Sequence, residues 1–275
     1  MKKTTLLPGL IPGMLLALVI YGIWIEPYWL DIKHLQVTQP ALSKALRGKT
    51  AVQISDLHIG NPGKREERVL KLIEKIRPEL IFLTGDYVPW EGDYEPALAF
   101  LAGLKAELGV WAVMGDYDYS NSRKSCLFCH PQGPGKPVQK HHVRFLRNSV
   151  EQIKFSEGSI RIGGIDQDFN RPFVGDKELR SFLEKDPAII LSHNPLFFDQ
   201  LDENQDVLVL AGDTHGGQLP VPSWLWRILG YEKNARYNQG WIEEGKKRMY
   251  VTRGIGTSHV PFRIMRRPEI VIIHF

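Results

Sequence analysis

The sequence has little or none of several features that mark specialised classes of protein. Only two of its 275 residues are cysteine, so no more than one disulfide can form within the chain. It has no internal repeat and no long basic stripe with interleaved aromatic residues, and its net charge of +4 is mild. The charge pattern therefore predicts no nucleic-acid partner. Apolar residues make up 43% and charged residues 24% of the chain, the balance of a globular domain with a sizeable core.

One long apolar run lies at the N-terminus. Lys2 and Lys3 precede residues 6–25, which carry no charge and have about the length of a membrane-spanning helix. No small-residue cleavage site follows, which favours an uncleaved anchor (residues 1–25) over a cleaved signal peptide or an interfacial helix. The two lysines predict a cytoplasmic N-terminus and place the domain that follows on the other side of the membrane, which is the periplasmic side of an inner membrane; a C-terminal reporter fusion would test this.

Five short motifs rich in aspartate and histidine each follow a β-like apolar run. The runs are residues 51–55, 80–84, 110–114, 188–191 and 207–211. The motifs are Asp56-Leu57-His58, Gly85-Asp86, Gly115-Asp116-Tyr117-Asp118, Ser192-His193-Asn194-Pro195 and Gly212-Asp213-Thr214-His215-Gly216-Gly217. The carboxyl ends of successive strands meet in one crevice of an α/β sheet, so these carboxylates and imidazoles are predicted to converge. A two-metal site requires such a set of ligands.

Local geometry within the motifs supports this interpretation. Side chains two residues apart in an extended segment point to the same side, so Asp56 and His58 can reach one ion. A glycine precedes Asp86, Asp116 and Asp213, and we expect it to let the backbone turn sharply beside the metals. Each motif alone is a weak indication, but five in order, each after a strand, are specific.

The segments between the motifs alternate between helix and strand patterns. Residues 26–48 are expected to form a juxtamembrane segment before a domain at 49–275. Helices are predicted at residues 64–77, 94–105, 176–185 and 196–202. Further strands are predicted at residues 142–147, 151–155, 159–165, 248–252 and 269–275. This order predicts an α/β fold with two packed mixed sheets flanked by helices.

In these motifs the sequence resembles the calcineurin-like metallophosphoesterase superfamily, and within it the membrane-anchored bacterial branch. The resemblance runs from about residue 29 to residue 275 and extends to residues 251–258 and 268–270. It implies a four-layer α-β-β-α sandwich and hydrolysis of phosphoester bonds at a dinuclear metal centre. It also implies the ligands of the two ions: Asp56, His58, Asp86 and His215 for the first, and Asp86, Asp116, His193 and Asp213 for the second.

The chain departs from the family pattern at three positions. Asp116 and Tyr117 stand where the family usually has asparagine and histidine, and Asp213 stands where it usually has histidine. The two additional carboxylates make the second site harder and more anionic, which favours Mn²⁺, with Mg²⁺, iron and Zn²⁺ as alternatives. The same changes leave open a degenerate fold that binds haem or metal in the periplasm without hydrolysis.

Tyr117 and Asp118 are the candidate catalytic residues beside the metal ligands. The family histidine that Tyr117 replaces would protonate the leaving group, whereas a tyrosine with an ordinary pKa of about 10 is a poor acid at neutral pH. A phosphate leaving group needs little protonation, so the predicted substrate is a diphosphate or another activated ester. The lipid A pyrophosphatases of this superfamily, which cleave UDP-2,3-diacylglucosamine, also lack this histidine.

The two cysteines lie in the motif Cys126-Leu127-Phe128-Cys129-His130, within a predicted insertion at residues 121–141. Cys-x-x-Cys-His is the attachment signature of haem c, with two thioethers and an axial histidine. The alternatives are a zinc site formed by the two cysteines with one or two of His130, His141 and His142, and a disulfide or free thiols. Covalent haem requires an extracytoplasmic domain, and pyridine haemochrome absorbance would detect it.

Residues 222–237 mix aromatic and basic side chains directly after the last metal motif. Several apolar side chains from Trp224 to Leu229 would share one helical face, which suits a membrane interface or a lid over a lipid-linked substrate. The alternative is that this stripe packs on the core. Arginines from Arg263 to Arg267 favour a phosphate-bearing lipid as partner. UDP-2,3-diacylglucosamine is presented on the cytoplasmic leaflet, so this substrate conflicts with a periplasmic domain.

Overall fold

Two six-stranded sheets form the centre of the protein in a computed structural model, which describes residues 10–61, 63–90, 93–119, 141–156, 158–166, 188–258 and 260–275. The first sheet contains β1 (Asp31–Gln36), β2 (Thr50–Ile54), β3 (Leu80–Thr84), β4 (Val110–Val113), β5 (Val143–Phe145) and β12 (Glu269–His274). The second contains β6 (Ser149–Phe155), β7 (Gly158–Ile165), β8 (Ala188–Ser192), β9 (Val207–Ala211), β10 (Gly240–Glu244) and β11 (Lys247–Val251).

Both sheets are mixed, and the strands that carry the motifs are parallel neighbours. The spatial order is β1-β12-β2-β3-β4-β5 in the first sheet and β10-β11-β9-β8-β7-β6 in the second. Strands β2, β3 and β4 run parallel to one another, as do β8 and β9. Their near-continuous apolar sequences suit strands that are covered on both faces. All five strands therefore end at positions where the motif residues can meet.

The helices differ in their place, since some cover an outer face of a sheet and others do not. They are α1 (Leu10–Ile20), α2 (Pro40–Ala45), α3 (Lys64–Ile76), α4 (Glu95–Gly103), α5 (Ser223–Ile228) and α6 (Glu232–Arg236), with 3₁₀ turns at Pro195–Gln200 and His215–Gly217. Helix α3 buries Val69 and Ile73 on one face, as its period predicts. It ends at Arg77, which adopts the left-handed conformation (φ 52°) before Pro78.

Alternating side chains divide the core into three layers. In β8, Ile189 and Leu191 pack between the two sheets, whereas Ile190 packs on the outer face of the second sheet. Between the first sheet and helices α3 and α4 lies the remaining layer, which includes Val69 and Leu101. The order of helices, sheet, sheet and helices confirms the four-layer α-β-β-α sandwich.

The expected juxtamembrane segment, residues 26–48, contributes to the sandwich. Strand β1 pairs in parallel with β12 at the edge of the first sheet. Leu42 of α2 and Leu46 are buried between the sheets. Other predicted elements lie within about two residues of the observed ones, although residues 196–202 form a 3₁₀ turn and residues 94–105 a shorter helix. The predicted helix at 176–185 lies outside the described residues.

The N-terminal helical segment is tied to the loop at residues 260–266. Within the described residues, Ile11–Tyr28 is long and apolar enough to cross a membrane, with a mean hydropathy of 1.5 and only 17% burial. Near its end, Gly22 packs against the ring of Phe262, and its carbonyl accepts a hydrogen bond from the Arg263 N–H (2.9 Å). The Glu26 carboxylate accepts a hydrogen bond from the Arg266 N–H. The end of this segment is therefore held against the domain.

Candidate metal centre

The five motifs meet at one crevice between the carboxyl ends of the two sheets. Hydrogen bonds join the first and second motifs, from Asp56 N–H to the Gly85 carbonyl (2.9 Å) and from His58 N–H to the Asp86 carbonyl (3.0 Å). Across the sheets, the Asp213 N–H donates to Asp56 Oδ1 (3.0 Å). The crevice predicted from the motifs is therefore present.

Asp56, His58 and His215 form a first group of candidate ligands. Their ligand atoms all lie within 4.8 Å of one another. The two imidazole Nε2 atoms are 3.1 Å apart, and His215 Nε2 lies 3.5 Å from Asp56 Oδ1. Asp86 Oδ2, the fourth ligand that the resemblance implies, lies 3.5 Å from His58 Nε2. This group contains the nitrogen and oxygen donors that a divalent transition metal prefers.

A second group consists of Asp56, Asp86 and His193. His193 Nε2 lies 3.4 Å from Asp86 Oδ2 and 3.6 Å from Asp116 Oδ1. The other ring nitrogen, Nδ1, donates to the Thr84 carbonyl (2.7 Å), which leaves Nε2 free to bind a metal. Asp86 Oδ2 is thus near an imidazole of each group, where a bridging ligand belongs.

Two predicted ligands are less closely involved. Neither Asp116 nor Asp213 belongs to a group of three or more described ligands whose atoms lie within 4.8 Å of one another. The Asp213 carboxylate instead forms an ion pair with the Nζ of Lys233, a residue of α6. The sequence indicated Lys233 only as one basic residue of the stretch at 222–237. No local pattern pairs it with a residue twenty positions away.

The unpaired polar atoms of the crevice fit bound cations. Asp56 Oδ2 and His193 Nε2 are buried, and neither has a hydrogen-bond partner among the described residues. Buried polar atoms are normally satisfied, and a cation bound in the crevice would accept the lone pairs of these two atoms. Aspartate oxygens and imidazole nitrogens together suit Mn²⁺, iron or Zn²⁺. The donor set therefore fits the metal ions that the resemblance implies.

The charges of the crevice indicate the same chemistry. Burial raises the pKa of Asp56 to about 7. Burial also lowers the pKa of His215 well below its usual value. Burial opposes the charge on His193 as well, but the carboxylates of Asp86 and Asp116 outweigh it and raise the pKa of this imidazole. His215 is therefore favoured in its neutral form, which can bind a cation, whereas His193 is favoured in its protonated form and would release a proton when it binds a metal.

The backbone at the candidate ligands is strained. Positive φ angles occur at five of them, between 45° and 75°: Asp56, His58, Asp86, Asp213 and His215. Residues other than glycine rarely adopt this left-handed backbone conformation, which costs of order 1 kcal/mol or more at each position. The surrounding structure therefore holds these side chains in place at the expense of stability, as is common at functional sites.

The glycines before the motif aspartates have two different roles. Gly85 adopts a left-handed conformation (φ 97°), so it allows the sharp turn that was expected. Gly115 and Gly212 do not adopt this conformation. Instead, because they have no side chain, neighbouring residues can approach their backbone closely. A Cβ at position 115 would lie 2.6 Å from the Asp86 N, and one at position 212 would lie 2.7 Å from Asp56 Oδ2. The expected sharp turn therefore applies to Gly85 alone.

The two candidate catalytic residues differ in their surroundings. Asp118 is fully buried, and its carboxylate accepts hydrogen bonds from the N–H groups of Asp86 (2.7 Å), Tyr87 (2.7 Å) and Gly115 (2.9 Å). It thereby holds the second and third motifs together, which is the role of a positioning residue. The ring of Tyr117 packs edge-on against the ring of His58, with centroids 4.6 Å apart. Tyr117 is therefore the candidate that borders the ligand groups.

The arginines near the C-terminus are already engaged. Arg263 is fully buried and donates to the carbonyls of Arg253 (2.8 Å), Gly256 (3.2 Å from Nε) and Arg266 (2.7 Å). Arg266 donates to the Gly216 carbonyl (2.9 Å). The expectation that Arg263 meets a lipid phosphate is therefore wrong, because its donors are satisfied by backbone within the core.

The predicted haem ligands Cys126, Cys129 and His130 lie outside the described residues. The nearby His141 and His142 are both described, and the ring of His141 packs against the ring of Phe145 with centroids 5.6 Å apart.

The fold and the ligand groups define a metal-dependent phosphoesterase. The family model for calcineurin-like phosphoesterases matches residues 49–217, which is more than half of the chain. The chain belongs to this family, and it is a hydrolase of the phosphoester type. The family uses a dinuclear divalent metal site, and the two groups above are its candidate ligands here.

Curated relatives extend the similarity beyond this region. The chain is 27% identical to the UDP-2,3-diacylglucosamine pyrophosphatase LpxG of Chlamydia trachomatis, over 94% of both proteins. It is 25% identical to the uncharacterized metallophosphoesterase YkuE of Bacillus subtilis, over 92% of this chain and 87% of YkuE. It is 26% identical to a transmembrane protein with a metallophosphoesterase domain from Danio rerio, over 94% of this chain and 60% of that protein.

Proposed function

We propose that this protein hydrolyses the diphosphate bond of a lipid-linked substrate at the membrane. The observation that carries the proposal is the position of Tyr117, whose ring borders His58 where the family usually has a histidine acid. The similarity to LpxG along nearly the whole of both chains supports the same substrate class, with UDP-2,3-diacylglucosamine as the specific candidate.

Two metal ions are part of this proposal. Asp56, His58, Asp86 and His215 would hold the first ion, and Asp86, Asp116, His193 and Asp213 the second. Bound divalent ions supply positive charge that stabilises the phosphoryl oxygens in the transition state. The carboxylates at positions 116 and 213 favour Mn²⁺. Cys126, Cys129 and His130 remain a separate proposal for haem c attachment.

The residues of this chain set up the reaction by position. Asp118 holds the turns that carry Asp86 and Gly115, so the proposed bridging carboxylate keeps one orientation. The Thr84 carbonyl orients His193 in the same way. Water supplies the oxygen that bonds to phosphorus and loses a proton to the solvent, while the bond from phosphorus to the leaving phosphate breaks. Because that phosphate leaves as a stable anion, no strong acid is needed at position 117.

Substrate preference tests this proposal. With Mn²⁺, we expect the wild-type protein to hydrolyse a diphosphate diester faster than a simple alkyl phosphodiester. Tyr117→His restores an acid of suitable pKa and should raise the rate on the alkyl substrate about a hundredfold, while the rate on the diphosphate changes little. Tyr117→Phe is the control, and it should leave the diphosphate rate nearly unchanged. A wild-type preference for alkyl diesters would contradict the proposal.

Membrane contact is the second part of the proposal. Helical segment Ile11–Tyr28 would hold the chain at the inner membrane. Lys2 and Lys3 favour a periplasmic domain, whereas UDP-2,3-diacylglucosamine needs a cytoplasmic one, so a C-terminal reporter fusion decides between this substrate and another diphosphate lipid. Because this segment is bonded to residues 263 and 266, the loop that contains them lies beside the anchor. The same loop binds the metal-motif region, since the Ile264 N–H donates to the Gln218 carbonyl (3.0 Å).

An exposed apolar rim lies on the segments that follow the last metal motif. It consists of Trp224, Ile228, Leu229, Tyr231, Val260 and Met265. Ile228 and Met265 are 72% and 70% exposed, respectively, so this stripe does not pack on the core. Exposed apolar side chains of this number favour a contact surface. We assign the rim to the lipid surface, since the anchor is hydrogen-bonded to the loop that carries Val260 and Met265.

A charge introduced on the rim is expected to lower turnover of lipid-embedded substrates but not of soluble ones. Ile228→Glu should lower turnover of a diphosphate lipid in vesicles by about tenfold, because an apolar side chain that enters the membrane interface is replaced by a charge. Turnover of a water-soluble aryl phosphodiester by the same variant serves as the control and should not change. An equal loss of turnover on both substrates would show that the substitution impairs folding of the domain and does not specifically remove contact with lipid.

A further inference from the structure

Lys233 reaches the candidate metal centre from helix α6. Its Nζ pairs with Asp213 Oδ2, and the Asp213 side chain is only 11% exposed. The Lys233 side chain is 32% exposed, so it approaches from the solvent side of the crevice. Burial opposes its charge, but Asp213 outweighs this effect and raises the pKa of the ammonium. Lys233 is therefore a cation located at one of the proposed ligands of the second ion.

The fold holds Lys233 at this place from both sides of α6. The next residue, Asn234, donates from Nδ2 to the Thr214 carbonyl (2.9 Å), and Thr214 Oγ1 donates to the Asn238 carbonyl (2.7 Å). Further along, Arg236 pairs with Asp199 (2.6 Å). The bond from Asn234 joins α6 directly to the Gly212–Gly217 motif, and the Arg236–Asp199 pair joins it to the 3₁₀ turn Pro195–Gln200. The Lys233–Asp213 pair is thus part of a built arrangement and not a chance surface contact.

Lys233 and the second metal ion would both bind the carboxylate of Asp213, and they would repel each other there. An ammonium group has no lone pair, so Lys233 cannot itself become a ligand while it is protonated. A divalent cation bound to the same carboxylate would repel the nearby ammonium. Without Lys233, three carboxylates, the buried Asp86 and the half-buried Asp116 and Asp213, would instead attract the ion together. Lys233 neutralises one of the two carboxylates by which this chain exceeds the family pattern.

We propose that Lys233 competes with the second metal ion for Asp213, so the protein holds its first ion tightly and its second ion weakly. The inference rests on the proposed two-metal centre and assigns Lys233 the role of setting its occupancy. The second ion would then bind fully only when its concentration is high or when a substrate phosphate draws Lys233 away from Asp213. The first group, Asp56, His58, Asp86 and His215, does not depend on this pair.

Calorimetric titration of the metal-free, detergent-solubilised full chain with Mn²⁺ tests the competition. We expect the wild-type protein to show two steps, the second at least about tenfold weaker than the first. Lys233→Met should tighten the second step by about tenfold or more and leave the first within about threefold, because Asp213 is then free for the ion. Lys71→Met is the matched control, since Lys71 forms an exposed ion pair with Glu67 on α3. It removes the same charge and should change neither step.

The outcomes separate this inference from the proposed function. Two steps of equal affinity in the wild-type protein, or an unchanged second step in Lys233→Met, would overturn the competition and leave the two-metal centre standing. Absence of any Mn²⁺ binding in both proteins would overturn the centre itself. Thermal unfolding checks that the variants fold, and Lys233→Gln replaces Lys233→Met if the latter does not. A second step that tightens in either variant, and not in Lys71→Met, supports the competition.

Discussion

Asp86→Asn is expected to abolish hydrolysis and to remove most of the bound metal. Asp86 Oδ2 lies 3.5 Å from His58 Nε2 and 3.4 Å from His193 Nε2, so one carboxylate serves both ligand groups. Asparagine keeps the volume of the side chain but loses the charge that both proposed ions share. We expect kcat/KM to fall by at least about 10³-fold, which corresponds to roughly 4 kcal/mol of transition-state stabilisation. Metal analysis of the purified variant should show a parallel loss.

Asp202→Asn is the matched control for this variant. Asp202 lies in an exposed turn, where its carboxylate accepts a hydrogen bond from the Asn204 N–H (2.8 Å). The same substitution there removes one negative charge without touching the ligand groups, and it should leave metal content and turnover unchanged. The proposed bridging role of Asp86 fails if Asp86→Asn keeps its metal and hydrolyses within about tenfold of the wild-type rate.

Gly115→Ala is expected to disrupt the same carboxylate without changing any charge. A Cβ at position 115 would lie 2.7 Å from the Asp86 Cγ and 2.6 Å from its backbone N, which is far inside van der Waals contact. Asp86 is held by Asp118 and cannot move aside freely. We expect a loss of about 1–3 kcal/mol in the free energy of unfolding from overpacking. Hydrolysis should fall at least about a hundredfold, because the proposed bridging ligand is displaced.

A second glycine shows whether the effect depends on position. A Cβ at Gly158, at the start of β7, would meet Phe155 at an ordinary 3.9 Å. Gly158→Ala should therefore change unfolding and turnover very little. Thermal denaturation and Mn²⁺-dependent turnover of both variants form the comparison. Similar behaviour of the two alanine variants would argue against close approach as the reason for glycine at position 115.

The motif-bearing strands were predictable because their information is local. The apolar runs before Asp56, Asp86 and His193 match β2, β3 and β8 to within one residue at each end. A buried parallel strand needs an unbroken apolar stretch, and the polar residue that ends it is visible in the sequence. Strand β1 was not predicted, because it lacks such an apolar stretch. Its sequence, Asp31–Gln36, alternates little, and most of its side chains are exposed.

The roles of individual motif residues were less accessible to sequence reasoning. Gly85 and Gly115 precede aspartates in the same way, yet only Gly85 turns in the left-handed region, while Gly115 makes room for Asp86. Asp118 looked like a catalytic candidate beside Tyr117, but its oxygens are occupied by backbone N–H groups of two motifs. The identity of a glycine or aspartate in a motif does not reveal whether the residue forms a turn, leaves space for a neighbouring side chain or positions another residue.

Two kinds of information thus contribute to the centre. The linear order of apolar runs and polar ends was sufficient to identify the candidate ligands, because each ligand directly follows its own strand. The pairing of Asp213 with Lys233, the engagement of Arg263 by backbone carbonyls and the central position of Asp86 depend on the packing of two sheets and α6. Contacts between residues far apart in the chain arise from three-dimensional packing, and no short sequence pattern encodes them.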